Sequence, residues 1–265
     1  MNNLNDYQHI EGLVENYLQK HFQISLDDIR EWYGYRLCNF ITHLRGERFQ
    51  FLDIPCSKTV EIVTAEINNS TEYDFNDIDF QPGDIVIDIG ANVGMVSIYL
   101  AKKYPFLKIY AFEPEYLNFT NFVKNIKQNE IPEGTITPIR KALSADNAPV
   151  TLDFYPYNTG GSQVFTKKRE GCIIKKENID VETITIDQIF ENFNIEKVKL
   201  LKIDCEGAEH EALKKCQKKH LKKIEHLRGE FHEDVRNKSE HSNSDLIKYC
   251  EKYIPNIKVV NGITA

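Results

Sequence analysis

The sequence predicts an α/β fold, a mainly parallel sheet with helices on both faces. Three observations point there. From residue 82 onward, short apolar strands alternate with amphipathic helical stretches, the order that right-handed crossovers in a parallel sheet require. The first strand, Val86-Ile-Asp-Ile89, runs into a turn holding Gly90 and Gly94 that opens a helix. The next strand ends on an acidic residue, Glu113, about 20 residues beyond the first glycine, a spacing shared with ribose-binding α/β units.

Taken in order, residues 1–50 read as an N-terminal helical appendage. Ser25 and Asp28 make a capping box, and Leu26, Ile29, Tyr33, Leu37, Phe40, Ile41 and Leu44 then recur at helical spacing. Such a stripe is a buried face. It implies an extra layer on the core and offers a surface for a homodimer, with the oligomeric state left open. Residues 51–265 form the main unit. Within it, strands are predicted at 84–89, 107–112 and 135–139, and helices at 93–103 and 115–128. Segments 149–155, 160–165 and 179–183 are rich in β-formers and read as a β-hairpin insertion. The alternation then resumes with a helix at 186–193, a strand at 198–203, a helix at 206–216, a strand at 226–231 and a helix at 244–253.

Composition narrows the function classes. With 265 residues, 41% hydrophobic and 28% charged, the chain is an ordinary globular protein. No apolar run approaches the ~20 residues of a membrane span, and the opening MNNLNDYQHI lacks the layout of a secretion signal; a cytoplasmic protein with no membrane contact is expected. The six cysteines show no CxxC spacing, so reduced thiols are expected rather than a disulfide scaffold or a structural zinc site. A net charge of −7 argues against a nucleic-acid partner, since such binding draws on clustered Lys and Arg. The basic run at 214–223 reads as solvated helix faces.

The glycine turn and its carboxylates select the cofactor class. NAD calls for GxGxxG with free N–H groups facing a pyrophosphate, whereas here the spacing is GxxxG and Asp88 stands just before the turn. A carboxylate there repels phosphates, and no GxxxxGK[ST] loop is present. S-adenosyl-L-methionine presents a sulfonium and an ammonium, which an acidic pocket attracts. Glu113 is placed to accept hydrogen bonds from both ribose hydroxyls; capping of the following helix is its plain structural alternative.

Two further strand ends carry chemistry. In Lys199-Leu-Leu-Lys-Ile-Asp-Cys-Glu-Gly-Ala-Glu209, Asp204 and Glu206 fall at the edge where open α/β sheets bind ligands. Glu209 reads as a first-turn helix acid, and Lys202 as a lysine paired with a neighbouring carboxylate or touching substrate. In Arg228-Gly-Glu-Phe-His232, His232 is the candidate base, with a proton affinity suited to taking a hydroxyl proton. A catalytic set of His232, Asp204 and Glu206 without metal is expected. The alternative is a divalent cation held by Asp204, Glu230 and His232.

Together DIGANVG, FEP, KALS (141–144), Thr183-Ile-Thr-Ile-Asp187, LKIDCEGAE and GEFH resemble the ordered motifs of the FkbM family of methyltransferases, over roughly residues 60–235. The resemblance implies a Rossmann-like class I methyltransferase sheet and methyl transfer from S-adenosyl-L-methionine. Carried onto this chain, it makes Asp88, Gly90, Ala91, Asn92 and Gly94 the turn around the methionine moiety and Glu113 the ribose ligand. It makes Ala142, Leu143 and Ser144 the adenine edge, and sets Asp204 and Glu206 beside the reactive methyl. The TGGSQVF segment, 159–165, corresponds to a part of the insertion that covers the site. Family members often read EVH where this chain has Glu230-Phe231-His232. After Val260 the chain soon stops, which leaves open whether the usual final antiparallel strand is complete.

The function expected is O-methylation of a sugar, a small molecule or a glycan-precursor hydroxyl, or of a phosphate-type oxygen. Abundant Lys, Asn and Ile fit an AT-rich bacterial genome, and with it a role in capsule or surface polysaccharide synthesis. The competing readings are a non-catalytic S-adenosylmethionine-binding partner subunit and an NAD-dependent oxidoreductase.

Overall fold

The computed structural model describes residues 37–53, 58–153, 178–205, 207–232 and 242–262. The expected helices before residue 37, the TGGSQVF segment and Glu206 lie outside the described residues.

The described chain opens on a hairpin. β1 (Cys38–Leu44) pairs antiparallel with β2 (Glu47–Asp53), and Arg45 and Gly46 form its turn at φ 50° and 87°. Two left-handed residues are what a tight two-residue hairpin turn requires. This corrects the helical reading of 37–44. Phe40, Ile41 and Leu44 do recur at helical spacing, but they lie on a strand whose partner alternates, burying Phe49 and Phe51. α1 (Thr59–Asn69) follows, a helix absent from the expectations above, and buries Val60 and Ile67.

From there the predicted alternation appears: β3 (Ile85–Ile89), α2 (Met95–Lys103), β4 (Lys108–Phe112), α3 (Tyr116–Gln128) and β5 (Ile136–Ile139). The short β6 (Ala142–Leu143) leads to β7 (Val150–Asp153), which pairs antiparallel with β8 (Asn178–Val181). These two strands form the base of the expected insertion. β9 (Thr183–Ile184) lies parallel to β6. Next come α4 (Ile186–Asn192), capped by a Thr185–Gln188 capping box, β10 (Val198–Ile203), α5 (Glu209–Lys215), α6 (Lys218–Leu221), β11 (Ile224–His232), α7 (Asn243–Cys250) and β12 (Asn256–Gly262).

Six strands form one sheet in the order β12-β11-β10-β3-β4-β5, and every pairing in it is parallel. This is the doubly wound strand order of Rossmann-like folds. β12, the final described strand, is parallel to β11 rather than the antiparallel strand that the family pattern led one to look for. Side chains alternate across the sheet and feed two cores. Val86, Ile109, Ala111 and Leu200 pack with α1, α2 and the hairpin, while Ile87, Phe112, Leu201 and Leu227 pack with α4, α5 and α7.

The hairpin is tied down by α3. Asn125 accepts from the Leu52 N–H at 2.6 Å and donates to the Leu52 carbonyl at 3.2 Å, and Asn129 does the same for Gln50 at 3.0 and 2.6 Å. Two helix amides thereby satisfy an otherwise open strand edge. Among the described residues no helix is long and apolar enough to cross a membrane.

Candidate active site

In a parallel sheet all strands end on one edge. The chain leaves β3 outward through β4 and β5, then returns to β10 on the other side of β3. The crevice between β3 and β10 is the place where such sheets bind ligands. Gly90 follows β3 and Asp204 follows β10, so both stand in it.

The turn after β3 is built on left-handed backbone: Gly90, Asn92 and Gly94 have φ of 74°, 50° and 88°. A Cβ on Gly90 would land on the Asp204 carbonyl, and one on Gly94 on the Phe122 ring. The glycines thus serve close packing of strand ends and helix against one another, and not only the approach of a ligand. Ala91 lies buried between them.

Asp88 is fully buried. Its Oδ2 accepts from Ser97 Oγ at 2.6 Å, and its Oδ1 lies 3.3 Å from Lys202 Nζ. Its charge is matched inside the protein, where these contacts order the turn that follows β3. Lys202 also donates to the carbonyls of Ile89 and Gly90 at 3.2 and 2.7 Å. Burial works against its charge, but Asp88, Asp204 and Glu72 outweigh it and raise its pKa. The pairing reading of Lys202 is the one the structure shows.

Glu113 ends β4 as expected. Its Oε2 accepts from the Asn92 N–H at 2.8 Å and its Oε1 from the Glu115 N–H at 2.9 Å, linking the turn to the start of α3. Burial pushes its pKa up to about 8. The cap of α3 is Glu115, which accepts from the Asn118 N–H, so Glu113 is not spent on capping. The Asn118 side chain is a third donor to Glu113; a carboxylate offers about four lone-pair sites, so acceptor capacity remains beyond these bonds. Ala142, Leu143 and Ser144 follow the end of β5, beside Glu113, whose N–H bonds the Ile139 carbonyl; all three are buried.

A third group lies at the ends of β10 and β11. Asp204 accepts from Tyr73 Oη at 3.1 Å, and ligand atoms of Asp204, Glu230 and His232 all lie within 4.8 Å of one another. His232 Nδ1 is 3.2 Å from Glu209 Oε1, and its Nε2 is 3.8 Å from Glu230 Oε2. Glu209 is fully buried and also accepts the N–H groups of Cys205 and Gly207, both at 2.9 Å. Burial opposes its ionisation, yet the His232 contact and these N–H groups hold its pKa below the usual range. It is therefore more than the first-turn acid expected of it.

Sequence reasoning also missed Glu66, Glu72 and Tyr73. Burial first, then the neighbouring carboxylates, push Glu66 to about 7 and Glu72 to about 8; Glu230 is raised for the same reasons. What brings this segment to the sheet edge is Arg228. Fully buried, it donates to both Asp77 carboxylate oxygens at 3.0 and 3.1 Å and to the Asp74 carbonyl at 3.3 Å. An arginine inside a strand was the available signal, though its partner lies 151 positions away.

Residues 88–253 match the model of the Methyltransferase FkbM domain. The chain belongs to this family. Among its relatives, Methyltransferase 1 of Beauveria bassiana is 27% identical over 63% of this chain and 72% of its own length. The 31-O-demethyl-FK506 methyltransferase FkbM of Streptomyces tacrolimicus is 22% identical over 69% of this chain and 81% of its own. The hexuronic acid methyltransferase AglP of Haloferax volcanii is 27% identical over 49% of each chain. As an FkbM-family protein the chain is a methyltransferase, and its methyl donor is S-adenosyl-L-methionine. The residues present fit that donor: Glu113 retains acceptor capacity for hydroxyls at the end of β4, and the ends of β10 and β11 carry the carboxylates that suit a cationic sulfur.

Proposed function

We propose that this chain is an O-methyltransferase whose acceptor is a hydroxyl of a sugar, a small molecule or a glycan precursor. The observation that carries the reading is the polar cluster beyond the cofactor crevice, in which Glu209 fixes His232 while Asp204 and Glu230 face the same space. The names of two relatives fit, one methylating a hexuronic acid and one a demethylated FK506.

Bound S-adenosylmethionine supplies a methyl group made electrophilic by its positive sulfur. The protein has to align the acceptor with the methyl–sulfur axis and exclude water. Glu113 holds the ribose, the turn from Gly90 to Gly94 lies around the methionine moiety with Gly90 packed against Asp204, and the Asp204–Glu230–His232 cluster meets the acceptor. There the hydroxyl loses its proton, a step that a positioned group accelerates by roughly 10²–10⁴-fold. A phosphate-type oxygen is the alternative acceptor; already anionic, it would need no base. A cytoplasmic setting and a part in capsule or other surface polysaccharide synthesis, through a soluble precursor, complete the reading.

The test is formation of S-adenosylhomocysteine with a panel of sugars, hexuronic acids and their methyl glycosides. Turnover that needs a free hydroxyl, with methyl recovered on oxygen, supports the proposal. Methyl recovered on nitrogen or carbon sinks it, and tight donor binding with no turnover on any acceptor favours the non-catalytic subunit. Heat protection by S-adenosylhomocysteine and not by NAD separates it from an oxidoreductase.

A further inference from the structure

The carboxylates at the ends of β10 and β11 are not balanced by the protein. Asp204, Glu230, Glu66 and Glu72 interact with one another through space. The neighbouring Lys202 is 3.9 Å from Asp204 and is already engaged by Asp88 and two carbonyls. Glu72 is only 9% exposed, yet its Oε1 has no hydrogen-bond partner. An orphaned buried carboxylate oxygen is costly; the Glu72 side chain is otherwise met by Tyr73, and Asp204, Glu66 and Glu230 surround it with negative charge.

We infer that Asp204, Glu230 and His232 hold a divalent metal ion of the Mg²⁺ or Mn²⁺ class, with Glu72 adding negative charge beside them. The three ligand atoms lie within 4.8 Å of one another. Octahedral ligands at 2.0–2.1 Å from a small cation sit roughly 3 Å apart, so rotamer-scale adjustment brings them into place. The His232 arrangement points the same way. A metal-bound histidine typically gives its second ring nitrogen to a carboxylate that fixes its tautomer, and Glu209 stands at Nδ1 in that way, with Nε2 3.8 Å from Glu230 Oε2. Asp204 and Glu230 are 23% and 27% exposed, so the site is open to solvent on one side.

The second three-residue cluster, Asp187, Cys216 and His220, shows the contrast. There the Asp187 carboxylate is already satisfied by His220 at 2.6 Å, by Cys216 and by the Gln217 N–H.

The inference rests on the reading that the acceptor oxygen meets the methyl at this cluster, and it assigns that oxygen's activation. Three protein ligands leave positions for two acceptor oxygens, which favours vicinal hydroxyls or a hydroxyl beside a carboxylate. The cation lowers the hydroxyl's pKa, its O–H bond breaks, and the proton passes to water. His232 then serves as a ligand rather than as the proton acceptor. A metal also explains how so acidic a crevice admits an anionic sugar acid.

The experiment is titration of the EDTA-dialysed full chain with Mn²⁺, followed by electron paramagnetic resonance, with S-adenosylhomocysteine binding measured in parallel. One Mn²⁺ per chain is expected, weakened at least 10-fold in Asp204→Asn, Glu230→Gln and His232→Gln, and less in Glu72→Gln. Melting curves identify any variant that fails to fold, and Mn²⁺ should raise the melting temperature of the wild type more than that of the Asp204, Glu230 and His232 variants. Absence of Mn²⁺ binding at millimolar concentration overturns the inference, as does full methyl transfer in EDTA, which leaves the O-methyltransferase reading intact. An Mn²⁺ site lost in these variants, with no hydroxyl ever methylated, upholds the metal and sinks that reading.

Discussion

Lys202 and Asp88 are neighbours across β10 and β3, and their side chains meet 3.3 Å apart inside the protein. The acid that precedes the glycine turn is thus matched by an ammonium group which also bonds the first carbonyls of that turn. The pair joins the two strands between which the crevice opens. Its purpose is to set the turn's shape.

Removing the lysine should therefore leave a buried charge uncompensated. Lys202→Met is expected to cost about 3–5 kcal/mol, read by denaturant unfolding, and Asp88→Asn in the same chain should restore part of the loss. A loss under about 1 kcal/mol, or a double variant worse than the single, would show that the pair does not carry the turn.

Gly90→Ala combines a left-handed φ with a Cβ directed into the Asp204 carbonyl, and backbone has little room to yield. A destabilisation of about 1–3 kcal/mol is expected from overpacking and strain, together with weaker S-adenosylhomocysteine binding. Gly83→Ala, at a similar φ of 88° but with nothing near its Cβ, should cost stability while leaving the ligand affinity alone. Equal effects on affinity at both sites would contradict the packing role of Gly90.

Stability should fall as pH rises through the neutral range. Burial raises Glu66 and Glu115 to about 7 and Glu72 and Glu113 to about 8. For acids raised in this way the folded state binds protons more tightly than the unfolded one. Their contribution is complete below about pH 4.5 and is lost through pH 7–8. His226, whose pKa burial lowers, acts in the opposite sense below its ordinary value, so the window to examine is pH 6.5–8.5. Melting temperatures of the ligand-free protein should drop across it; a flat or rising curve would show that these glutamates are ionised throughout.

Much of this was legible in the chain. Val86–Ile89, the residues before Glu113, and the runs ending at Asp204 and His232 are local patterns whose period and end residues fix strand, turn and edge together. The hairpin was not, because Phe40, Ile41 and Leu44 satisfy a helical period as well as a strand. What decides for the strand is distant, the amides of Asn125 and Asn129. Glu72 and Tyr73 reach the site only because Arg228 binds Asp77, and Glu209 becomes an orienting group only once β11 brings His232 beside it. These are relations of topology, which no local pattern carries.

The central claim is that Glu113 and the strand-end crevice receive an adenosine-bearing methyl donor. Calorimetric titration with S-adenosylhomocysteine tests it most directly. One site per chain is expected, with affinity reduced at least 10-fold in Glu113→Ala, the loss of about 1–3 kcal/mol that hydrogen bonds to a charged group represent. Heat of binding unchanged by that substitution, or no binding by the wild type, would contradict it.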